Sequence, residues 1–236
     1  MDVFAAVPVK DLVNAKQRLV PALDAGERSR LAHAMLEDVL QALATALAGS
    51  VHVVTTDALV MEIAARYGAR CLVEPGNRGH TEAVAFAQRA AHARGAARFL
   101  TIPGDVPCVT PEEIALVCAA TSPGVAFVPS LSGFGTNAVL LAPPDAMPLK
   151  FGEPSFDNHV VAARARGLAP VIHRLPGIGL DIDAPEDLAL LLERGPRTRS
   201  AALVASWGFP ARLGPGTREG RGADHGADAP PAASTR

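Results

Sequence analysis

Along this chain, short apolar runs alternate with longer stretches in which apolar residues recur at helical spacing. "VFAAVPV" (3–9), "VHVVTT" (51–56), "RCLVE" (70–74) and "ARFLTI" (97–102) predict four strands, the first of them fully buried. Helices are predicted between them. One opens on a capping box at Asp24-Ala25-Gly26-Glu27 and runs to about 48, a short one stops at Gly68, and a third covers 81–94 and is closed by Gly95. Thr110-Pro111-Glu112-Glu113 then supplies a cap, a first-turn proline and an N3 glutamate in order, so another helix starts there. This alternation is the pattern of an α/β protein with a parallel sheet and right-handed crossovers.

After Ser122 the rhythm changes. "VAFVPS" (125–130) and "TNAVLLAP" (136–143) read as two strands joined by a glycine-rich loop, which predicts an antiparallel or mixed insert. A helix over 155–167, a strand over 170–175 and a closing helix over 184–195 complete a body spanning 1–195. From 196 to 236, Arg, Gly, Pro and Ala replace periodic apolar residues. Within this extension "AALVASWGF" (201–209) is a patch able to dock on the body. Beyond 210 the composition cannot offset the entropy of ordering and predicts a disordered tail.

Composition narrows the class further. A chain of 236 residues suffices for one well-buried domain. It is 49% apolar with only 4% aromatics, which favours Ala-rich helices on Val/Leu strands over a β-sandwich. The net charge of -2 makes no case for nucleic acid, and no Lys/Arg cluster is dense enough for a membrane surface. No apolar run approaches the ~20 residues of a membrane span, and the first residues lack a signal-peptide pattern. Cys71, Cys108 and Cys118 have no C-x-x-C spacing, so disulfides and structural zinc are not expected; a reducing cytoplasm is.

Ligands of open α/β sheets sit beyond the carboxyl ends of the strands, so polar residues there are the candidates for chemistry. "PVKDLVNAKQRL" follows the first strand with Lys10, Lys16 and Arg18; Asp105 follows the fourth; "GLDIDAPEDL" follows the last with Asp181 and Asp183. Each also has a plainer reading. The cations could be solvated, Asp105 could shape a turn, Asp181 could be an edge residue, and Asp183 is placed to cap the final helix. In the loops "SGFGTNAVLLA" and "KFGEPSFDNH", glycines such as Gly133, Gly135 and Gly152 allow close backbone approach. Ser155 stands at a helix start, where its hydroxyl and the next N–H groups suit an anion. Thr136 and Asn137 also read as turn residues, and His159, one turn into that helix, as a packing or solvated residue rather than a catalytic one.

Taken in order, "VPVKDLVNAKQRL", "LTIPGDVPCVTPEEI", "GFGTNAVLL", "FGEPSF" and "GLDIDAPEDL" resemble the guanylyltransferases that activate a phosphorylated three-carbon acid for the deazaflavin coenzyme F(420). These act on 2-phospholactate, phosphoenolpyruvate or 3-phosphoglycerate, and the similarity runs from about Val3 to Leu192. The resemblance implies a three-layer nucleotidyltransferase-type fold (nucleotide-diphospho-sugar transferase-like) with a mixed, mainly parallel sheet. It also implies GTP as donor and Mg²⁺ as cofactor. By position, Asp105, Asp181 and Asp183 match the metal-binding aspartates. Thr136, Gly152 and Ser155 match the residues that hold the phosphoacid, and Lys10, Lys16 and Arg18 the basic segment near the triphosphate. One stretch departs from the family: Gly79-His80-Thr81-Glu82 stands where a Gly-Leu-Asn-like turn is expected.

The expected reaction is attack of the acceptor phosphate on the α-phosphorus of GTP. A phosphate monoester is largely doubly ionised at neutral pH, its second pKa being ~6, so no general base is required. Neutralising two polyanions is the difficulty, and metal-bearing aspartates with Lys and Arg address it. The expected partners are therefore GTP and a small phosphoacid, with no nucleic acid and no membrane; a homodimer is compatible with the sequence. The alternatives are a metal-dependent glycosyltransferase or another nucleotidyltransferase of similar fold, and an idle nucleotide-binding domain.

Overall fold

The computed structural model describes residues 2–10, 12, 16–76, 78–119 and 124–213. A seven-stranded sheet divides it into two helical layers. The strands are β1 (Val3–Pro8), β2 (Val51–Val54), β3 (Arg70–Leu72), β4 (Arg98–Thr101), β5 (Gly124–Pro129), β6 (Thr136–Ala142) and β7 (Val171–Ile172), in the order β3-β2-β1-β4-β6-β5-β7. The pairs β1–β2, β2–β3, β1–β4 and β5–β7 are parallel, whereas β6 is antiparallel to both β4 and β5. The mixed, mainly parallel sheet expected from the sequence is therefore present, and β5–β6 is the antiparallel insert.

Alternation along the buried strands feeds both layers. Val3, Ala5 and Val7 of β1 join one core with helices α1 (Ala25–Ala46), α2 (Ala58–Arg66), α4 (Pro111–Cys118), α6 (Pro185–Arg194) and α7 (Arg199–Ser206). Phe4 and Ala6 join the other, with α3 (His80–Ala93) and α5 (Ser155–Arg164). The capping box of α1 forms as read: Glu27 N–H donates to Asp24 Oδ1 (2.7 Å) and Asp24 N–H to Glu27 Oε2 (3.0 Å). Strand β7 is shorter than predicted, because it lies at the sheet edge with both residues exposed. Among the described residues, no helix is long and apolar enough to cross a membrane.

The order β2-β1-β4 places a topological switch point between β1 and β4. The chain leaves β1 to one side and returns, after β3, on the other, so two connections diverge and leave a crevice at the strand ends.

The segment after 195 packs on the body through 213. Asp38 of α1 accepts bonds from Arg199 N–H (2.8 Å), Ser200 N–H (2.9 Å) and Ser200 Oγ (2.6 Å), holding the first turn of α7. Ala201, Val204 and Phe209 then enter the α1-side core. Farther on, Arg212 pairs with Glu27 (2.7 Å). The tail predicted to be disordered beyond 210 opens instead on a 3-10 turn (Ala211–Leu213), held by that ion pair, and from 214 onward it lies outside the described residues. Asp38→Ala would strand two backbone donors and a hydroxyl, an expected loss of about 2–3 kcal/mol. That is roughly 5–10 °C in Tm for a chain of this size, readable by a thermal melt. An unchanged Tm would mean that the apolar face of α7 alone holds it.

Candidate active site

Three segments distant in sequence meet at the switch point. The first follows β1, where the chain turns through Lys16 into a 3-10 turn (Gln17–Leu19). Lys16 has φ 59° and ψ 46°, the one non-glycine residue with positive φ among the described residues. That left-handed conformation costs a side-chain-bearing residue about 1–2 kcal/mol and persists only where the surroundings impose it. Here they do. Lys16 Nζ donates to Asp105 Oδ2 and to Asp183 Oδ1, each at 2.7 Å, while its own side chain is only 8% exposed.

The second segment is the loop after β4, where Pro103 and Gly104 lead to Asp105. The third leaves a turn at 176–179 and leads into α6, with Leu180 and Ile182 buried in the core and Asp181 and Asp183 only half-buried beside them. Alternation therefore turns Asp181 and Asp183 to the other side. Two clamps join these segments. Ile182 N–H donates to the Asp105 carbonyl (3.1 Å). Glu113 accepts from the N–H groups of Gly177 and Ile178, both at 2.8 Å. Gly177 is required there, since a Cβ would stand 2.3 Å from the Cys108 carbonyl oxygen and 2.5 Å from Glu113 Oε2.

Two expectations about helix starts are corrected. Asp183 does not cap α6: Asp187 reaches back to accept from the N–H groups of Asp183 (3.0 Å) and Ala184 (2.8 Å), which leaves the Asp183 carboxylate to Lys16. Nor is Ser155 a cap. Pro154 holds that position, the Phe156 N–H is spent on the Phe134 carbonyl (3.1 Å), and Ser155 Oγ turns inward to donate to Thr136 Oγ1 (3.1 Å).

Asp105, Lys16, Lys10 and His80 line a cleft of about 280 Å³, near the lower bound of small-ligand sites (roughly 300–1,000 Å³). Lys10 is exposed and stands beside the N-terminus of α3: its Nζ lies 3.8 Å from where a side chain on Gly79 would begin. A second cavity of about 280 Å³, beside Arg174 and Arg194, contains none of these residues. Arg18 is exposed on the 3-10 turn and does not line the cleft. Among the described residues, no group of three or more His, Cys, Asp or Glu side chains stands in metal-ligating geometry; Asp105 and Asp183 share the Lys16 ammonium instead.

The electrostatics follow from that sharing. Burial works to raise the Asp105 carboxyl, yet the Lys16 charge and hydrogen bond outweigh it and hold the group below its ordinary value. Lys16 mirrors this: burial opposes its charge, and the two carboxylates more than restore it. Asp181 is pushed up, first by burial and then by the like charges of Asp105 and Asp183, against a hydrogen bond from Asn137 Nδ2 (3.1 Å). His80 is pushed down, chiefly by burial.

Asn137 also donates to the carbonyls of Ile178 (3.0 Å) and Gly179 (3.1 Å), so it fixes the segment that carries the aspartates. Its neighbour Thr136 opens β6 and bonds both Ser155 and His159. Gly152, at φ 114°, lies just beyond Phe151, whose N–H donates to Thr81 Oγ1 (3.0 Å). Along the chain Asn137 reads as a turn residue and Glu113 as the N3 glutamate of a helix start. Neither pattern could reveal the long-range bonds each makes.

The chain matches the family model described as guanylyl transferase CofC-like over residues 3–220. It is 41% identical over 198 residues to a phosphoenolpyruvate guanylyltransferase of Sphaerobacter thermophilus, covering 83% of this chain and 95% of the relative. Over 212 residues it is 32% identical to a 2-phospho-L-lactate guanylyltransferase of Methanothermobacter thermautotrophicus, covering 90% and 94%. In structure it is similar to a protein of Desulfovibrio desulfuricans assigned as a nucleotide-diphospho-sugar transferase. The TM-score is 0.71 at 19% identity, over 87% of this chain and 94% of that one, which bears on the fold alone.

Because Asp105 is held below the usual carboxylate range, the stability of its pair with Lys16 is complete above an unfolded pKa of ~3.9. It is lost as pH falls through the lower folded value. In Lys16→Met the burial remains and the partner is gone. The Asp105 carboxyl is then expected to titrate at higher pH than in the wild type, read from its side-chain carbon resonance by NMR. An unmoved titration would remove Lys16 as the cause.

Proposed function

The chain belongs to the guanylyl transferase CofC-like family and is a nucleotidyltransferase, and from that premise we propose that it transfers GMP from GTP to the phosphate of phosphoenolpyruvate, releasing pyrophosphate. The observation that carries this reading is the meeting of Lys16, Asp105 and Asp183 at the switch point, beside a cleft that also exposes Lys10. Phosphoenolpyruvate is preferred as acceptor because the relative named for it shares 41% identity, against 32% for the one named for phospholactate.

In this reaction an acceptor phosphate oxygen bonds to the α-phosphorus of GTP. The bond from that phosphorus to the oxygen bridging to the β-phosphorus breaks, and its electron pair leaves with pyrophosphate. The nucleophile needs no base, so the chain's work is to orient two anions and offset their repulsion. Lys10 and Lys16 supply positive charge for the triphosphate. Thr136, backed by Ser155, supplies a hydroxyl and Gly152 the open backbone that receive the acceptor.

Magnesium suits the donor set, since two carboxylates already close on a single cation and a third lies near enough to feel their charge. Asp105 and Asp183, with Asp181 beside them, would hold it. Bound there, it supplies neutralisation of phosphate charge and polarisation of a phosphoryl oxygen. The setting we propose is coenzyme F(420) biosynthesis in a reducing cytoplasm, which suits three free cysteines.

The test is pyrophosphate release from GTP with Mg²⁺, offering phosphoenolpyruvate, 2-phospholactate and 3-phosphoglycerate in parallel. Release is expected with phosphoenolpyruvate and none without an acid; silence with all three, despite GTP binding, would overturn the reading. Asp105→Ala and Asp183→Ala are each expected to cut kcat by about 10²–10³ while circular dichroism stays native. A fully active Asp105→Ala enzyme would sink the metal assignment.

A further inference from the structure

Thr136 Oγ1 is the meeting point of two donors, and the proton count there decides what Thr136 itself must do. His159, one turn into α5 and buried, has both ring nitrogens engaged. The backbone N–H of Lys150 lies 3.1 Å from Nε2. A backbone N–H can only donate, so Nε2 is the bare nitrogen and Nδ1 carries the hydrogen of the neutral ring. Burial supports neutrality by pushing the imidazole pKa down to about 4. Nδ1–H therefore donates to Thr136 Oγ1 at 3.0 Å, and Ser155 Oγ–H donates to the same oxygen at 3.1 Å.

A hydroxyl has two lone pairs and one proton. With both lone pairs filled by His159 and Ser155, the Thr136 proton cannot be shared back into the network and is aimed out of it. We propose that His159 is a positioning residue which, with Ser155, locks the Thr136 hydroxyl as an outward donor to an anionic oxygen of the phosphoacid. This rests on the reading above that Thr136, backed by Ser155, faces the acceptor.

The ring is fixed to do this. It is stacked on Phe127 (centroids 5.7 Å, interplanar 18°) and met edge-on by Phe151 (5.1 Å, 73°). Phe151 is in turn met by His80 (4.7 Å, 80°), which lines the cleft beside Asp105. An aromatic row thus runs from the cleft to the acceptor residues and leaves the imidazole little freedom to turn.

Three variants and one spectrum test the assignment. Thr136→Val removes the donor at nearly constant shape. His159→Asn keeps an amide donor near the Nδ1 position, whereas His159→Gln keeps an acceptor near Nε2 and loses the bond to Thr136. Thr136→Val and His159→Gln are expected to raise KM for the phosphoacid about tenfold or more, the scale of one hydrogen bond to a charged group, with KM for GTP unchanged. His159→Asn should stay within about threefold of wild type on the same scale. Equal effects of Asn and Gln, or none from either, would overturn the positioning role while a raised KM in Thr136→Val upheld the acceptor site. An unaffected Thr136→Val would overturn the acceptor reading and this inference with it. In the wild-type protein, long-range proton–nitrogen spectra should report a protonated Nδ1 and a bare Nε2; the opposite tautomer would refute the proposal even if a variant failed to fold.

Discussion

One ammonium group organises the site. Lys16 Nζ lies between Asp105 and Asp183, and neither the lysine nor the backbone that delivers it would adopt this arrangement alone. A largely buried cation needs partners, because desolvation costs several kcal/mol unless opposite charge offsets it. Its two partners come from the loop after β4 and from the approach to α6, so satisfying one charge draws three remote segments together. The left-handed backbone at Lys16 is the local cost of that convergence.

The rest of the site is built to keep those segments in place. Glu113 belongs to the helix that follows the Asp105 loop, yet its carboxylate holds the N–H groups of Gly177 and Ile178, just ahead of the aspartate pair. Asn137 grips the same stretch from β6 through two carbonyls and Asp181. Asp187 takes over the capping of α6, so the carboxylate of Asp183 is free to meet Lys16. The division of labour between Asp183 and Asp187 is what leaves the Asp183 carboxylate to the Lys16 ammonium.

The antiparallel strand β6 connects the two halves of the proposed site. Adjacent residues at its start face different tasks: Asn137 orients the aspartate segment, and Thr136 receives Ser155 and His159. Insertion of β6 antiparallel to β4 brings Thr136 and Asn137 to the end of the sheet from which the Asp105 loop departs, the proximity that the proposed transfer between two polyanions requires. The helix α7 rests on α1 through Asp38 and apolar contacts, and none of its residues lines the cleft.

Much of this was legible in the chain alone, because it depends on local chemistry. The buried run at β1, the capping box at Asp24 and Glu27, and the cap and proline at Thr110 and Pro111 are short-range patterns whose energetics do not need the rest of the fold. The alternation of strands and helices determined the fold class, and the ends of strands β1 and β4 pointed to Lys10, Lys16 and Asp105. The tertiary structure alone decided which carboxylates Lys16 would meet, that Arg18 stays outside the cleft, and that Ser155 turns inward. It also decided that Asp187 rather than Asp183 caps α6, and that a histidine read as packing holds a threonine hydroxyl. Those outcomes depend on hydrogen bonds and charges between residues far apart in sequence, and no periodicity or spacing along the chain encodes which distant donor will find which acceptor.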